Sequence, residues 1–305
     1  MPDFIDPTKA TSGSLNRRVF VGLSATAAAA GGTIAAALAQ GEGLGRPHPP
    51  LVAEGDPAIA VARPQITHGD RTIGSYYASP RGAGRTTPGV VVVQAIWGLD
   101  AQLRDVVRRF AKEGYIAIAP DLYSGLGAPS GDNVTDYAPF RDVAEKLSDD
   151  VVDADLAAGA AFIRQGAGGL PQKIGIVGFC MGGAIVLRQT VDNARVFDAA
   201  SVFYGKVRYG TTGNNGAITP IALDYADHIG VPTAGSWGAR DTSILADDVR
   251  ALDAKLTALG KPHDFFIYDG AGHAFFDDTR DSYVAPAASD AWTRTLAWFR
   301  RHLTA

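Results

Sequence analysis

Residues Gly89–Gly98 read "GVVVVQAIWG", and the four consecutive valines restrict the fold more than any other stretch of the chain. A strand with one wet face alternates apolar and polar residues, so an unbroken β-branched run has to be covered on both sides. "YIAIAPDLY" and "KIGIVGF" are two more runs of this kind, and "ASVFYG", "VPTAGSWG" and "DFFIYDG" supply three further strands. Helical patterns fall between them, over Leu103–Glu113, Ser148–Gln165 and Leu245–Leu259, and a last one covers Pro286–Leu303. Strand alternating with helix predicts a mostly parallel sheet covered by helices on both faces. Sites in such sheets lie at the C-terminal ends of the strands.

One of those ends carries "GFCMGG", Gly178–Gly183, with the only cysteine of the chain at its centre. A lone cysteine is commonly a small buried hydrophobe. Here, however, a strand runs straight into Gly178-Phe179-Cys180-Met181-Gly182 and then a helix through Ala184-Ile185-Val186-Leu187. That is the pattern of a nucleophile elbow, in which glycines make room for a tight turn. The following helix presents its positive end to the thiol, which favours thiolate.

A nucleophile in this setting takes an acid and then a histidine from later in the chain. His273, in "YDGAGHAFF", follows the last strand, and Asp241, in "GSWGARDTS", follows the strand before it. For Asp241 a turn or helix-cap role is the plain alternative, since Thr242 and Ser243 come next. His48, His68, His228, His263 and His302 lack the strand-end context, and Asp247 and Asp248 fall inside a helix.

"GFCMGG", "GARDTS" and "GAGHAFF" resemble the dienelactone hydrolases, the cysteine branch of the α/β-hydrolase superfamily; "VVVQAIWGLD", "PDLY" and "FYG" add to the likeness, which spans about Ile66 to Leu303. The resemblance implies an α/β-hydrolase fold and cleavage of a lactone or activated ester through an acyl-cysteine, with Cys180, Asp241 and His273 as the triad and neither cofactor nor metal. Oxyanion donors are expected from the backbone of Met181 and Ile96. Trp97, Tyr123 and Tyr204 are candidate pocket residues, with core packing as the alternative for each. The chain departs from the family pattern twice: Ala95 stands where a glutamate is usual, and Asp277 stands four residues beyond His273, where dienelactone enzymes carry an arginine, so that Arg280 is the nearest guanidinium. These changes favour a neutral ester or lactone over dienelactone itself. The rival readings are a non-catalytic ligand-binding member of the fold and a thioester or peptide hydrolase.

The first residues read differently. Arg17-Arg18 precede a weakly apolar stretch, Val19–Leu38, that closes on Ala37-Leu38-Ala39. Glycines and threonines dilute it below what a membrane anchor needs. The pattern predicts a twin-arginine (Tat) export signal over 1–39, hence the Tat translocation machinery as a partner and a periplasmic or secreted location. "QGEGLGRPHPP" begins a Gly/Pro-rich tether, expected over 40–64, with the hydrolase domain over 65–305. The formal charge of −4 gives no reason to expect nucleic acid. No Cys/His cluster has metal-ligand spacing. The expected partner is a small-molecule ester or lactone.

Overall fold

The computed structural model describes residues 50–132, 134, 136–166, 173–208 and 223–304. The predicted export signal, and the tether as far as residue 49, lie outside the described residues.

The valine run forms β4 (Gly89–Val93), every residue of it buried. It is flanked by β5 (Ile116–Pro120) and β6 (Ile174–Phe179), both parallel to it. From β6 the sheet continues through β7 (Ala199–Phe203), β8 (Thr233–Gly238) and β9 (His263–Tyr268), each parallel to its neighbour. All six strands expected from the sequence are present. Three more precede them. β1 (Ile59–Ala62), β2 (Gln65–His68) and β3 (Arg71–Pro80) are antiparallel, and β3 joins the sheet at β5.

These strands correct the expected domain boundary. β1 falls inside the segment assigned to the tether, and Val52 is already buried. The backbone N–H groups of Leu51 and Val52 donate to the Asp105 carboxylate at 2.9 and 3.0 Å. The folded body therefore begins by Leu51, not residue 65. The signal was weak because β1 is only four residues long and, at the edge of the sheet, fully buries Ile59 alone.

Helices α1 (Ala101–Lys112), α2 (Ala138–Ala144), α3 (Asp149–Gly166), α4 (Met181–Asp192), α5 (Ala246–Ala258) and α6 (Ala285–Leu303) complete the described body. Four match the expected spans within two residues and α4 is the helix expected after Cys180; α2, opened by Tyr137 with Pro139 in its first turn, is additional. α1 and α6 meet through Phe110, which lies 4.6 Å from Trp292 and 6.0 Å from Phe299 between ring centroids. α3 and α4 are tied by the Arg188 guanidinium on Asp153.

The chain steps from β4 to β5 on one side and then returns to place β6 on the other. Such a reversal opens a crevice at the C-terminal strand ends. In register, Val93 pairs with Gly178. The residues after β4 and after β6, Ala95–Trp97 and Cys180–Met181, are therefore delivered to the same crevice.

Candidate active site

Cys180 caps the N-terminus of α4 with φ 55° and ψ −115°. Only a held backbone keeps a non-glycine residue there, at a cost of order 1–3 kcal/mol. Its N–H donates to the Phe203 carbonyl at 3.0 Å, and its own carbonyl accepts from Ala184 at 3.2 Å. The flanking glycines are steric necessities. A Cβ on Gly178 would lie 2.2 Å from the Gly182 carbonyl oxygen, and one on Gly182 would lie 2.5 Å from the carbonyl oxygens of Val93 and Gln94. Helix α4 is thus pressed onto the end of β4, and Met181, its first residue, has an N–H with no acceptor within the helix.

His273, in the loop after β9, reaches back across the ends of β8 and β7. Its Nε2 lies 3.1 Å from the Cys180 sulfur, and its Nδ1 lies 2.6 Å from Asp241 Oδ2. Asp241 is buried. Its second oxygen accepts from the Ser243 N–H at 2.8 Å, the Ser243 hydroxyl at 2.7 Å and the Ile244 N–H at 3.1 Å. The turn role offered as its alternative and the role beside histidine are both real, one on each oxygen. Burial raises the Asp241 pKa, but the hydrogen bonds from His273 and Ser243 outweigh it and leave the carboxyl below its ordinary value. For His273, burial opposes protonation, yet the bonds to Asp241 and Cys180 prevail and raise its pKa to about 10. An imidazolium held against the Asp241 carboxylate is the favoured resting form of His273.

A cavity of about 520 Å³ opens over Cys180 and His273. Ile96, Trp97, Met181 and Tyr204 line it, together with Ala95. The Ala95 carbonyl accepts from Gly98 N–H at 3.2 Å, so the Ile96 N–H across the same trans peptide points away from that turn. The buried Tyr204 stands with its ring 5.3 Å from His273. Burial, with Asp277 and Cys180 nearby, raises its phenol well above the ordinary value and keeps it a donor.

Tyr123 differs from the expectation. It is absent from the lining of this cavity and lies beneath Gly98, its hydroxyl donating to the Ile96 carbonyl at 2.9 Å. It braces the loop that carries Ile96. It also borders a second cavity of about 370 Å³, shared with Trp97 and the glycine-rich segment after β5.

Three features of the cavity were not read from the sequence. Asp100, the cap of α1, faces into it, and Asp277 and Arg280 are a bonded pair in its wall, Nε to carboxylate at 3.1 Å. The Arg280 guanidinium lies 3.9 Å from the centre of the Trp97 ring. Finally, the three non-glycine residues with positive φ among the described residues, Cys180, Tyr204 and Ala274, all border this one cavity. Strain gathered in that way marks a functional site. No group of three or more His, Cys, Asp or Glu side chains among the described residues could hold a metal.

Known proteins resemble this chain over most of its described length. The Dienelactone hydrolase family matches residues 73–303. The chain belongs to the dienelactone hydrolase family. It is 34% identical over 258 residues to the "Putative carboxymethylenebutenolidase" of Salmonella typhimurium, covering 83% of this chain and 92% of that one. A protein of the same name from Methylorubrum extorquens is 35% identical over 235 residues, 76% of this chain and 78% of that one. Among solved structures, a "Putative Dienelactone Hydrolase" from Klebsiella pneumoniae superposes with a TM-score of 0.71 at 34% identity, covering 80% of this chain and all of that one. This dienelactone hydrolase relative is therefore an α/β-hydrolase and a hydrolase of the carboxylic-ester class.

Proposed function

We propose that the protein cleaves a lactone or small activated ester through an acyl-cysteine formed on Cys180. The observation that carries this reading is the unbroken contact chain from sulfur to His273 to Asp241, 3.1 and 2.6 Å long, at the strained turn of the elbow. The Cys180 thiolate attacks the substrate carbonyl carbon, and the carbonyl π pair moves onto oxygen. The backbone N–H groups of Met181 and Ile96 receive that oxyanion, each worth about 3–4 kcal/mol of barrier by analogy with other such donors. Collapse expels the alkoxide, which takes the proton from His273 Nε2. Water then attacks the thioester, giving its proton to His273, and the acid product leaves as the thiolate is restored. Asp241 holds the imidazole in the useful orientation throughout. In the same reading no cofactor takes part, Trp97 and Tyr204 contact the substrate, and an export signal over 1–39 delivers the folded enzyme outside the cytoplasm through the Tat machinery.

The test is turnover of a chromogenic short-chain ester together with intact-mass spectrometry. Wild type should release the chromophore and, with a slowly deacylated ester, gain one acyl mass on Cys180. Cys180→Ala should do neither. An alanine variant that keeps full turnover ends the cysteine reading. A wild type that binds ester without releasing product makes the protein a binding member of the fold.

A further inference from the structure

Of the two acidic side chains lining the cavity, Asp100 is the one with no salt bridge among the described residues. Asp277 is held by Arg280 at 3.1 Å. Asp100 spends Oδ1 on the Leu103 N–H, at 2.9 Å, as a helix cap. Its Oδ2 has no hydrogen-bond partner among the described residues, although the residue is only 6% exposed and borders the cavity. The residue is buried while this oxygen is reached from the cavity, so a ligand there meets an acceptor that the protein leaves unpaired.

The cationic groups of the cavity are placed differently. Arg188 is matched by Asp149, Asp153 and Asp192, and Arg208 by Asp248. Lys206 is exposed, so water and salt screen it. Asp100 is the dry charge of the cavity without an ion-pair partner among the described residues, Arg280 acting on it only at longer range. We propose that Asp100 determines specificity, its open oxygen receiving a hydrogen-bond-donating or cationic group on the non-reacting part of the substrate and turning anionic groups away. This rests on the ester-hydrolase reading and adds the substrate class to it. Removing unmatched partners by an unpaired charge is an economical form of discrimination.

The groups facing Asp100 are few. Asp277 and Arg280 approach from the loop after β9 and Asp132 from the loop before α2; across the cavity stand Cys180, His273, Tyr204 and Lys206. Burial, then Asp277, raises the Asp100 pKa to about 7, so charge selection belongs to the alkaline side.

The experiment compares wild type with Asp100→Asn at pH 8.5; asparagine keeps the helix cap and removes the charge. Two readouts are taken. One is kcat/KM for 4-nitrophenyl esters whose acyl tails end in trimethylammonium, methyl or carboxylate. The other is the alkylation rate of Cys180 by 2-bromoethylamine, iodoacetamide and iodoacetate, each relative to a free thiol. Wild type should prefer the cationic over the anionic probe by at least about tenfold, and Asp100→Asn should shrink that preference several-fold in both readouts. An unchanged preference in the asparagine variant, or none in wild type, overturns the proposal. If no ester turns over while the alkylation preference follows Asp100, the hydrolase reading fails and this one stands. If esters turn over with a charge preference indifferent to Asp100, the reverse holds.

Discussion

At the scale of single residues, two side chains beside the triad make separate predictions. Tyr123 touches the Ile96 carbonyl and borders a different cavity from the one holding Cys180, so it acts through the oxyanion loop. Tyr123→Phe removes one hydrogen bond, worth about 1 kcal/mol in stability. It should lower kcat by several-fold and leave KM nearly unchanged, since a slackened loop weakens an interaction made in the transition state. A rise in KM at constant kcat, by steady-state kinetics, would place Tyr123 in substrate binding instead. Asp100 makes the second prediction through linkage. Its folded pKa, about 7, lies above the ordinary 3.8. A raised folded pKa contributes stability that is fully present below the unfolded value and is lost as pH rises through the folded one. Asparagine cannot ionise, so Asp100→Asn should gain on wild type progressively between about pH 4 and pH 8, up to roughly 4 kcal/mol. Urea denaturation of both proteins across that range checks it, and a gap that closes with rising pH refutes it.

At the scale of elements, the proposed oxyanion pair depends on how closely α4 is pressed against β4. Gly182 is what allows this, because a side chain there meets two backbone carbonyl oxygens and not a flexible tip. Gly182→Ala must push the start of α4 away from the end of β4. It should cost about 1–3 kcal/mol of stability and reduce kcat far more than that loss alone implies. The reason is that Met181 N–H and Ile96 N–H sit on opposite sides of that seam. Denaturant melts beside kcat measurements, with a folded but fully active alanine variant as the contrary result, test the point. A second element-scale link runs through Arg109. This wholly buried guanidinium binds Asp105 of α1 and Asp278, five residues beyond His273. Asp105 also holds the backbone of Leu51 and Val52. One buried charge node therefore ties the first described residues and the histidine loop to the same helix.

At the scale of the whole molecule, residues 1–49 and the folded body make different demands on the chain. The arginine pair precedes an Ala/Gly/Thr-rich stretch with a small-x-small ending, and the body it precedes starts by Leu51. No helix of the described residues is long and apolar enough to cross a membrane. If the leading segment is a Tat signal, the exported protein should have an N-terminus near Gln40 by mass spectrometry. Replacing Arg17 and Arg18 by lysine should leave precursor in the cytoplasm. Unprocessed cytoplasmic protein from the unaltered gene in its native host would reject export.

The sequence by itself determined the parallel sheet, because β-branched runs such as Val90–Val93 have no stable placement except between two layers of helices. It also determined the order and strand-end placement of Cys180, Asp241 and His273, since each sits in a short turn whose glycines or polar neighbours are local signals. The N-terminal strands were less legible: their pairing with β3 and β5 is non-local, and the apolar run among them, Ile59–Ala62, is only four residues long. Only the tertiary structure decided that Tyr123 braces a loop while Trp97 and Tyr204 border the cavity, for aromatics at strand ends look alike until packing chooses their side. Nor could sequence tell that Asp100, an ordinary helix cap by its position, keeps an oxygen toward the catalytic cavity. Its place there follows from a β4–β6 register that brings separate stretches of chain to one crevice, and from the burial and unmatched charge that this juxtaposition creates.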